Sequence, residues 1–331
     1  MIKKVRFFVP LLALAVVLSS VSIVGLPPAN AADKPMELSF AIWVPAVHAL
    51  TKGVAAPWAE AIAKQTNGRV KINLFPGSAL GKPQDHYDLA VRGAADIASF
   101  NPGFTPGRFP LTAVLELPFV THRSSTSSFA ALELLQTEPA IQAEFNQVKM
   151  YSLTQTDPAQ LFTVKKPVRT LEDLQGMTIR VPSEAAGQAI KLLGGTPVFM
   201  PMTELYQALE RNTIDGCLVA IEACQSFRVH EVTKFCTILE FTSITGGVAW
   251  NINSWNKLPK DVQTLLEGED LGPYFFSKHF GIEFEKMTQV GKGLMEKAKV
   301  EVITLPPAEL ERWRARAMPV REAWVKEMEA K

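Results

Sequence analysis

The sequence predicts a two-lobed α/β protein with a ligand cleft between the lobes. Residues 36–42 read as a strand, 49–66 as a helix and 69–75 as a strand with alternating apolar residues, an order that builds parallel sheets. The phrase "LAVRGAADIA" (89–98) returns as "ALERNTIDGC" (208–217), and each runs from a helix end through a turn to an Asp that opens a strand. A chain of 331 residues has enough material for two such lobes.

The C-terminal part of the chain is predicted to be mostly helical. A long helix at 273–298 places Phe276, Phe280, Phe284 and Met287 on one stripe, which indicates a face packed on a core. The other elements predicted are a helix at 83–92, a strand at 96–100, a strand at 300–304 and a closing helix to Met328.

Two stretches are interpreted as crossings between the lobes. The first is 152–176, which carries Pro158 and Pro167, and the second is 243–259, where Gly246 and Gly247 are expected to free the backbone. We expect hinges within them, near 155–166 and 243–250. The predicted divisions are lobe one at 32–155 plus 244–260, lobe two at 156–243, and a C-terminal helical segment at 261–331 that packs across the lobes.

The N-terminus has the order of a secretory signal peptide. Basic residues at positions 3, 4 and 6 precede a nearly continuous apolar run at 7–26, and Ala29 and Ala31 form an Ala-x-Ala site. We expect residues 1–31 to be removed and the mature protein to be periplasmic. The alternative is an uncleaved anchor, since about 20 apolar residues can span a bilayer. Pro27-Pro28 and the Ala-x-Ala site favour cleavage.

The charge balance argues against polyanionic partners. The chain has 34 basic and 33 acidic residues, and loss of residues 1–31 takes three basic ones, leaving 31 against 33, about −2. This gives no reason to expect nucleic acid or an anionic membrane surface as a partner.

Motifs for catalysis and for metal binding are missing. The sequence has no GxSxG, GxGxxG, phosphate-loop or HExxH pattern, and its five histidines are scattered. Cys217, Cys224 and Cys236 with His230 fit no tight zinc spacing, so buried thiols are expected, although an exported chain can also pair two of them. We therefore expect a protein that is not an enzyme and uses no cofactor or metal.

Candidate ligand-binding residues follow predicted strand ends in both lobes. In open α/β sheets, ligands bind in the crevice beyond the carboxyl ends of the strands. The candidates are Trp43, His48, Phe100, Asn101 and Phe104 in lobe one, and Arg180, Phe199, Met202 and Glu222 in lobe two. For three of them another reading stays open: Trp43 and Phe100 as core residues, and Glu222 as a solvated helix residue.

Four segments together resemble the DctP-type solute-binding proteins of tripartite ATP-independent periplasmic (TRAP) transporters. They are "FPGSALGKPQD", "PGRFPLTAVLELPFV", "LEDLQGMTIRVPSEAAGQAIKLLGGTPVFMPMTELYQALERNTIDG" and "NINSWNKLPKDVQ". The resemblance implies the two-lobed periplasmic binding protein fold with mixed sheets. It also implies capture of an organic acid and its delivery to a small and a large membrane subunit driven by a sodium gradient.

The resemblance assigns a role to Arg180, the lone cation of "TIRVPS". In this family the matching arginine forms a salt bridge with the ligand carboxylate, and a guanidinium offers a planar fork to both carboxylate oxygens. Pro182 and Ser183 are expected to start a helix beside it. The alternative is an exposed strand-end arginine paired with Glu184 or Asp173.

Departures from the family pattern shape the expected ligand. Some sialic-acid-binding members carry a second arginine and an asparagine where this sequence has Gln160 and Val219, and Trp43 and Asn101 replace an Asn and a Glu. We therefore expect a monomeric binding protein for a monocarboxylate with an apolar or aromatic body. The alternatives are a periplasmic enzyme with an unrecognised site, or a binding protein that serves an ATP-driven importer or a receptor.

Overall fold

A computed structural model of the chain describes residues 34–330. The signal peptide predicted at 1–31 and its cleavage site lie outside these residues. No helix within 34–330 is both long and apolar enough to cross a membrane.

The described residues form eleven strands in two sheets. The strands are β1 Met36–Ala41, β2 Val70–Phe75, β3 Ile97–Phe100, β4 Lys149–Gln155, β5 Gln160–Thr163, β6 Thr178–Val181, β7 Thr196–Phe199, β8 Gly216–Val219, β9 Phe235–Ile238, β10 Thr245–Trp250 and β11 Glu301–Thr304. The first sheet has the order β2-β1-β3-β10-β4, and the second has the order β11-β9-β5-β8-β6-β7.

Each sheet is mixed because one internal strand runs against its neighbours. In the first sheet β10 is antiparallel to both β3 and β4, and in the second β5 is antiparallel to both β8 and β9. β10 and β5 follow the two crossings between the sheets, whereas β11, which the chain also enters from the other sheet, is parallel to its neighbour β9.

Twelve α-helices surround the sheets in the described part of the chain. They are α1 Ala56–Gln65, α2 His86–Val91, α3 Ser124–Thr137, α4 Pro139–Glu144, α5 Glu184–Leu192, α6 Met202–Glu210, α7 Ala223–Phe227, α8 Val229–Val232, α9 Ile252–Asn256, α10 Lys260–Glu267, α11 Pro273–Lys297 and α12 Pro307–Glu329. Wider or tighter helical turns occur at Ala49–Ala55, Pro83–Asp85, Pro102–Phe104, Thr112–Glu116 and Leu171–Leu174.

The helix expected at 49–66 is built in two parts. Ala49–Ala55 is wound more widely, as a π-helix, and the regular α-helix begins at Ala56. Pro57 lies at this change, and it has no N–H with which to bond the carbonyl one turn earlier. His48 caps the wide part, because its Nδ1 accepts a hydrogen bond from the Leu50 amide at 3.1 Å.

The two crossings between the sheets hydrogen-bond to each other. The Thr156 amide donates to the Ile244 carbonyl at 3.1 Å, and the Ile244 amide donates to Thr156 Oγ1 at 3.0 Å. Ala159 pairs with the second crossing as well, donating to Thr242 at 2.7 Å and accepting from Phe241 at 3.0 Å. These two crossings thus run side by side as a double-stranded connection between the lobes.

Gly246 and Gly247 serve a purpose other than the one expected. Neither has a positive φ, so backbone freedom is not what they supply. The reason is close packing: a Cβ on Gly247 would lie 2.5 Å from Cε1 of Phe100, and one on Gly246 would lie 2.9 Å from Oγ1 of Thr154. Both residues lie in β10, between two neighbouring strands.

The C-terminal part contacts both lobes. The long helix α11 packs on α3 and β4, which belong to the first sheet's side, and also on α7. The last helix α12 packs on α5, and Trp324 Nε1 donates to the Pro110 carbonyl at 2.8 Å. Between these helices, β11 extends the second sheet by pairing with β9 in parallel, so this part of the chain is not helical throughout.

Candidate functional site

A cavity of about 70 Å³ lies between the two sheets, beyond the carboxyl ends of several strands. The first lobe contributes Trp43, Val44, His48, Leu50, Ser99, Phe100, Asn101 and Phe104, and the second contributes Arg180, Pro182, Met202, Val219, Ala220, Glu222, Ala223 and Phe227. Strands β4 and β10 add Thr154, Gly246, Gly247 and Val248, the crossings add Thr156 and Ile244, and α11 adds Phe276, Phe280 and Phe284. Three of these residues can carry charge, namely Arg180, His48 and Glu222.

Arg180 reaches this cavity from β6, a short strand in the interior of the second sheet. Its side chain is 3% exposed, and two backbone carbonyls hold it: Nε donates to Met200 at 3.2 Å and Nη1 to Leu218 at 3.3 Å. Burial lowers the pKa of Arg180 to about 10, so the guanidinium is still charged at neutral pH. A guanidinium has five N–H donors, so several remain for a ligand.

No acidic side chain within residues 34–330 forms an ion pair with Arg180. Asp173 instead caps the turn that begins at Thr170 and lies 3.6 Å from Lys166 Nζ. Glu184 accepts from Gln188 on its own helix at 3.4 Å. Both alternative partners considered from the sequence are therefore engaged elsewhere, and the buried cation faces the cavity without a counterion from the described chain.

Seven further aromatic side chains belong to the described wall. Trp43 stacks on Phe227 with ring centroids 6.3 Å apart and an interplanar angle of 23°, and it meets Phe104 edge-on at 5.3 Å. Phe280 and Phe284 of α11 lie with their centroids 3.8 Å apart. These rings offer flat apolar surface to a ligand, and stacked or edge-on arrangements are the favourable geometries for aromatic pairs.

His48 and Glu222 are the two other ionisable groups in the wall. His48 Nε2 lies 3.8 Å from Glu222 Oε2, and both side chains are buried. Burial lowers the pKa of His48 to about 3 and raises the pKa of Glu222 to about 8, with the charge of Asp157 adding to the second shift. Both groups are therefore neutral at pH 7, and their contact is not a salt bridge. At neutral pH the cavity holds one positive charge, on Arg180.

Eight of the ten predicted binding residues line this cavity: Trp43, His48, Phe100, Asn101, Arg180, Met202, Val219 and Glu222. Trp43, Phe100 and Glu222, for which other readings were open, are all buried there, so Glu222 is not a solvated helix residue. Phe104, the further candidate at a strand end, also lies in the wall.

The structure places Gln160 and Phe199 outside the cavity, which corrects the expectation for both. The Gln160 amide is used within the protein: its oxygen accepts from the amides of Leu239 and Glu240 at 2.7 and 3.0 Å, and its nitrogen donates to the Pro158 carbonyl at 3.0 Å. Phe199 ends β7, the edge strand of the second sheet, and is 43% exposed.

Several wall residues were not predicted as binding residues. Phe276, Phe280 and Phe284 were assigned to a core stripe, and the structure shows that the same stripe also faces the cavity. Their spacing was thus the available signal. Phe227, Thr154 and Thr156 carry no motif signal: Phe227 ends the short helix α7, Thr154 is near the end of β4, and Thr156 lies in the first crossing.

The cysteines and histidines form no metal centre within the part of the chain that the structure describes. Cys217, Cys224 and Cys236 are buried free thiols, and burial raises the pKa of each. They behave as small apolar side chains near the second sheet.

A larger cavity of about 270 Å³ lies between the loop at 102–113, α5 and α12. Its described lining includes Glu116 and Glu184 but no lysine or arginine. It therefore has no cation to offer an anionic ligand, and the smaller cavity with Arg180 is the candidate site.

The fold and this cavity together define a class of protein: a two-lobed α/β protein with a buried arginine, without an acidic partner among the described residues, in the cleft between the lobes. Residues 40–327 match the model of one family, described as "Bacterial extracellular solute-binding protein, family 7" (DctP). The chain belongs to this family, and the resemblance seen in the four segments is confirmed.

Solved structures of similar proteins agree in fold. One is a TRAP solute-binding protein from Rhodoferax ferrireducens in complex with copurified benzoate, with 28% identity, a TM-score of 0.85, and coverage of 89% of this chain and 92% of that one. Another, from Bordetella bronchiseptica with bound (R)- and (S)-mandelate, has 28% identity, a TM-score of 0.84, and coverage of 89% and 94%. The two-lobed α/β fold with mixed sheets is therefore confirmed.

Curated relatives match a smaller part of the chain. The C4-dicarboxylate-binding periplasmic protein DctP of Rhodobacter capsulatus is 25% identical over 64% of this chain, and the outer membrane transporter protein TsaT of Comamonas testosteroni is 28% identical over 59%. These matches span 64% and 57% of the relatives' own lengths.

Proposed function

We propose that this protein is an extracytoplasmic solute-binding protein that captures a small monocarboxylate with an aromatic or apolar body. It delivers this acid to the small and large membrane subunits of a TRAP transporter. The proposal extends the family membership to a ligand class, a cellular place and a set of partners.

One observation carries the proposal: Arg180 is a buried cation without an acidic partner among the described residues. Removing a charge from water costs several kcal/mol unless it is paired. A ligand carboxylate that binds the free side of the fork supplies the missing partner and the strongest kind of hydrogen bond. The two carbonyl contacts hold the fork in place before the ligand arrives.

The walls support an aromatic or apolar ligand body. The mostly apolar wall, with Trp43, Phe227 and the α11 phenylalanines, offers too few partners for the several hydroxyls of a sugar acid, and each unsatisfied buried group costs about 1–3 kcal/mol. An apolar body instead gains roughly 25 cal/mol for each Å² removed from water. The benzoate and mandelate bound by the two similar proteins belong to the same class of acid.

The single charge of the cavity supports a monocarboxylate over a dicarboxylate. Arg180 is the one cation in the described wall, and the other ionisable residues there, His48 and Glu222, are neutral at pH 7. A second ligand carboxylate would therefore lack a positive partner. This separates the proposed ligand from the C4-dicarboxylates named for the Rhodobacter capsulatus relative.

The division of contacts between two lobes supports a closing mechanism. A ligand held by Arg180 on one side and Trp43 on the other stabilises the closed arrangement. The closed, monomeric protein then presents both lobes to the membrane subunits, and we place this exchange in the periplasm, after removal of residues 1–31.

Isothermal titration calorimetry on protein freed of copurified ligand tests the ligand class. The panel consists of benzoate, a short aliphatic acid, a C4-dicarboxylate and glucuronate, and we expect the aromatic acid to bind most tightly. Tight glucuronate binding with no response to aromatic acids contradicts the proposal. Product formed from a bound acid would indicate the alternative of an enzyme, and a neighbouring ATPase gene would indicate an ATP-driven importer.

A further inference from the structure

His48 and Glu222 are neighbouring polar side chains whose facing atoms lack hydrogen-bond partners, in a wall that is otherwise mostly apolar. We refer to these two residues as the couple. His48 is 4% exposed and Glu222 is 6% exposed, and both line the cavity. Their nearest polar atoms, His48 Nε2 and Glu222 Oε2, are 3.8 Å apart, which is too far for a hydrogen bond. Neither atom has a hydrogen-bond partner within residues 34–330.

The hydrogen-bonding roles of the couple follow from its surroundings. His48 Nδ1 accepts from the Leu50 amide at 3.1 Å, so the proton of the neutral ring is on Nε2, which is a donor. The burial that raises the pKa of Glu222 to about 8 keeps its carboxyl protonated at pH 7. Glu222 thus offers one O–H donor and one carbonyl acceptor beside the Nε2–H of His48.

We propose, on the basis of the carboxylate-binding function above, that His48 and Glu222 bind a hydroxyl group of the ligand. The pocket then selects aromatic monocarboxylates that carry a hydroxyl. One hydroxyl oxygen spans the 3.8 Å gap at ordinary hydrogen-bond distances from both atoms. It accepts from His48 Nε2–H and donates its own proton to the Glu222 carbonyl oxygen, so both buried groups gain partners.

A second carboxylate or an ammonium fits this couple less well. The negative charge of Asp157, which contributes to the raised pKa of Glu222, also opposes a ligand carboxylate at the same place. An ammonium is favoured by that charge, but it has three donors and no acceptor, so the Nε2–H of His48 stays unpaired. A hydroxyl is neutral and both donates and accepts, so it can pair with the Nε2–H of His48 and with the carbonyl oxygen of Glu222.

The experiment compares affinities within one family of probes. Titration calorimetry at pH 7 measures benzoate, the three hydroxybenzoate isomers, isophthalate and 3-(aminomethyl)benzoate. We expect at least one hydroxybenzoate to bind about tenfold or more tighter than benzoate, the amount expected for one well-made buried hydrogen bond. Isophthalate and 3-(aminomethyl)benzoate should bind more weakly than that isomer.

Variants test whether His48 and Glu222 cause the preference for a ligand with a hydroxyl. Glu222→Leu and His48→Phe should bring the ratio of hydroxybenzoate to benzoate affinity close to one. Glu222→Gln, which keeps a neutral donor and acceptor, should retain most of the preference for hydroxybenzoate over benzoate. Glu204→Gln on the exposed face of α6 is the matched control and should leave the ratio unchanged. Melting curves show whether each variant is folded.

The outcomes separate this inference from the proposed function. If benzoate binds as tightly as every hydroxybenzoate, or if Glu222→Leu and His48→Phe both keep the ratio, the hydroxyl site is wrong while the aromatic acid pocket stands. If isophthalate or 3-(aminomethyl)benzoate binds most tightly, His48 and Glu222 bind a charged group of the ligand instead, and the hydroxyl site is wrong. If no aromatic acid binds at all, the proposed function itself is wrong.

Discussion

The Trp43 ring, which follows β1 of the first lobe, stacks on the Phe227 ring at the end of α7 in the second lobe. Their centroids are 6.3 Å apart and the rings are inclined by 23°. One face of the cavity wall is therefore built from both lobes, and it is complete when the two lobes are close together.

Trp43→Ala should weaken binding of aromatic acids, because it removes the larger ring of this stack. A stacking contact is worth about 0.5–1.5 kcal/mol beyond its buried area, so we expect a loss of roughly 3- to 10-fold or more in affinity. Trp43→Phe should retain much of the affinity. Calorimetric titration with benzoate measures both, and equal affinity in wild type and Trp43→Ala would remove Trp43 from the site.

Arg180→Ala should cost about 2–5 kcal/mol of binding free energy, because the ligand carboxylate would be buried without a partner. This corresponds to roughly 30-fold or more in affinity. Arg180→Lys should fall between wild type and Arg180→Ala, since an ammonium keeps the charge but lacks the planar fork. The exposed Arg211 provides the matched control, and Arg211→Ala should bind as wild type does. Unchanged affinity in Arg180→Ala would overturn the assignment.

Ligand should make the molecule more compact in solution. The contacts come from both lobes, and the lobes are joined by the paired crossings in which we place the hinges, near 155–166 and 243–250. X-ray scattering should give a smaller radius of gyration with saturating aromatic acid than without it. Arg180→Ala at the same ligand concentration should keep the larger radius. The same radius for the wild type in both states speaks against closure.

Gly247→Ala should destabilise the fold, because the new Cβ would lie 2.5 Å from Cε1 of Phe100. Overpacking of this kind costs typically about 1–3 kcal/mol. Gly293→Ala in α11 is the matched control, because a Cβ there meets nothing within 4 Å and alanine favours a helix by roughly 0.5–1 kcal/mol. Urea unfolding compares the two. Equal stability of Gly247→Ala and the wild type would show that Phe100 moves without cost.

The free energy of unfolding should fall as pH rises from about 6.5 to about 8. Glu222 has a pKa of about 8 in the folded protein and an ordinary value of 4.5 when unfolded, so the folded state holds the extra proton in this window. The contribution of Glu222 to stability is therefore present at low pH and is lost as pH rises towards 8. The free energy of unfolding falls by about 1.4 kcal/mol per pH unit in this window.

The titration of other groups does not hide the effect of Glu222 on stability between pH 6.5 and 8. His48, whose pKa is lowered to about 3, acts in the opposite sense below pH 6.5, and Glu116, raised to about 7, adds to the fall near neutrality. Arg180 stays charged, and Cys224, with its raised pKa, stays protonated. Urea unfolding of Glu222→Gln should show a much flatter pH profile between 6.5 and 8. A wild-type profile as flat as that of the variant would mean that Glu222 is ionised in the folded protein.

Local patterns in the sequence were sufficient for much of the fold. The apolar alternation of β2 and the phenylalanine stripe of α11 depend on the backbone period of a strand or a helix, which neighbouring residues impose on each other. The position of Arg180 at the end of a buried strand and before the Ser183 cap could likewise be predicted from adjacent residues. Its role in binding an anion came from the family resemblance.

Only the tertiary structure decided which side chains meet in the cavity. Phe199 follows the same strand-end rule as Trp43, yet β7 became the edge of its sheet and left the ring exposed. The side-chain oxygen of Gln160 accepts hydrogen bonds from two amides that lie about 80 residues away in sequence. Phe227 reaches the wall from the lobe opposite to that of Trp43. Such contacts depend on strand order and on how the lobes pack. These are set by the burial of the whole chain, so no local period in the sequence records them.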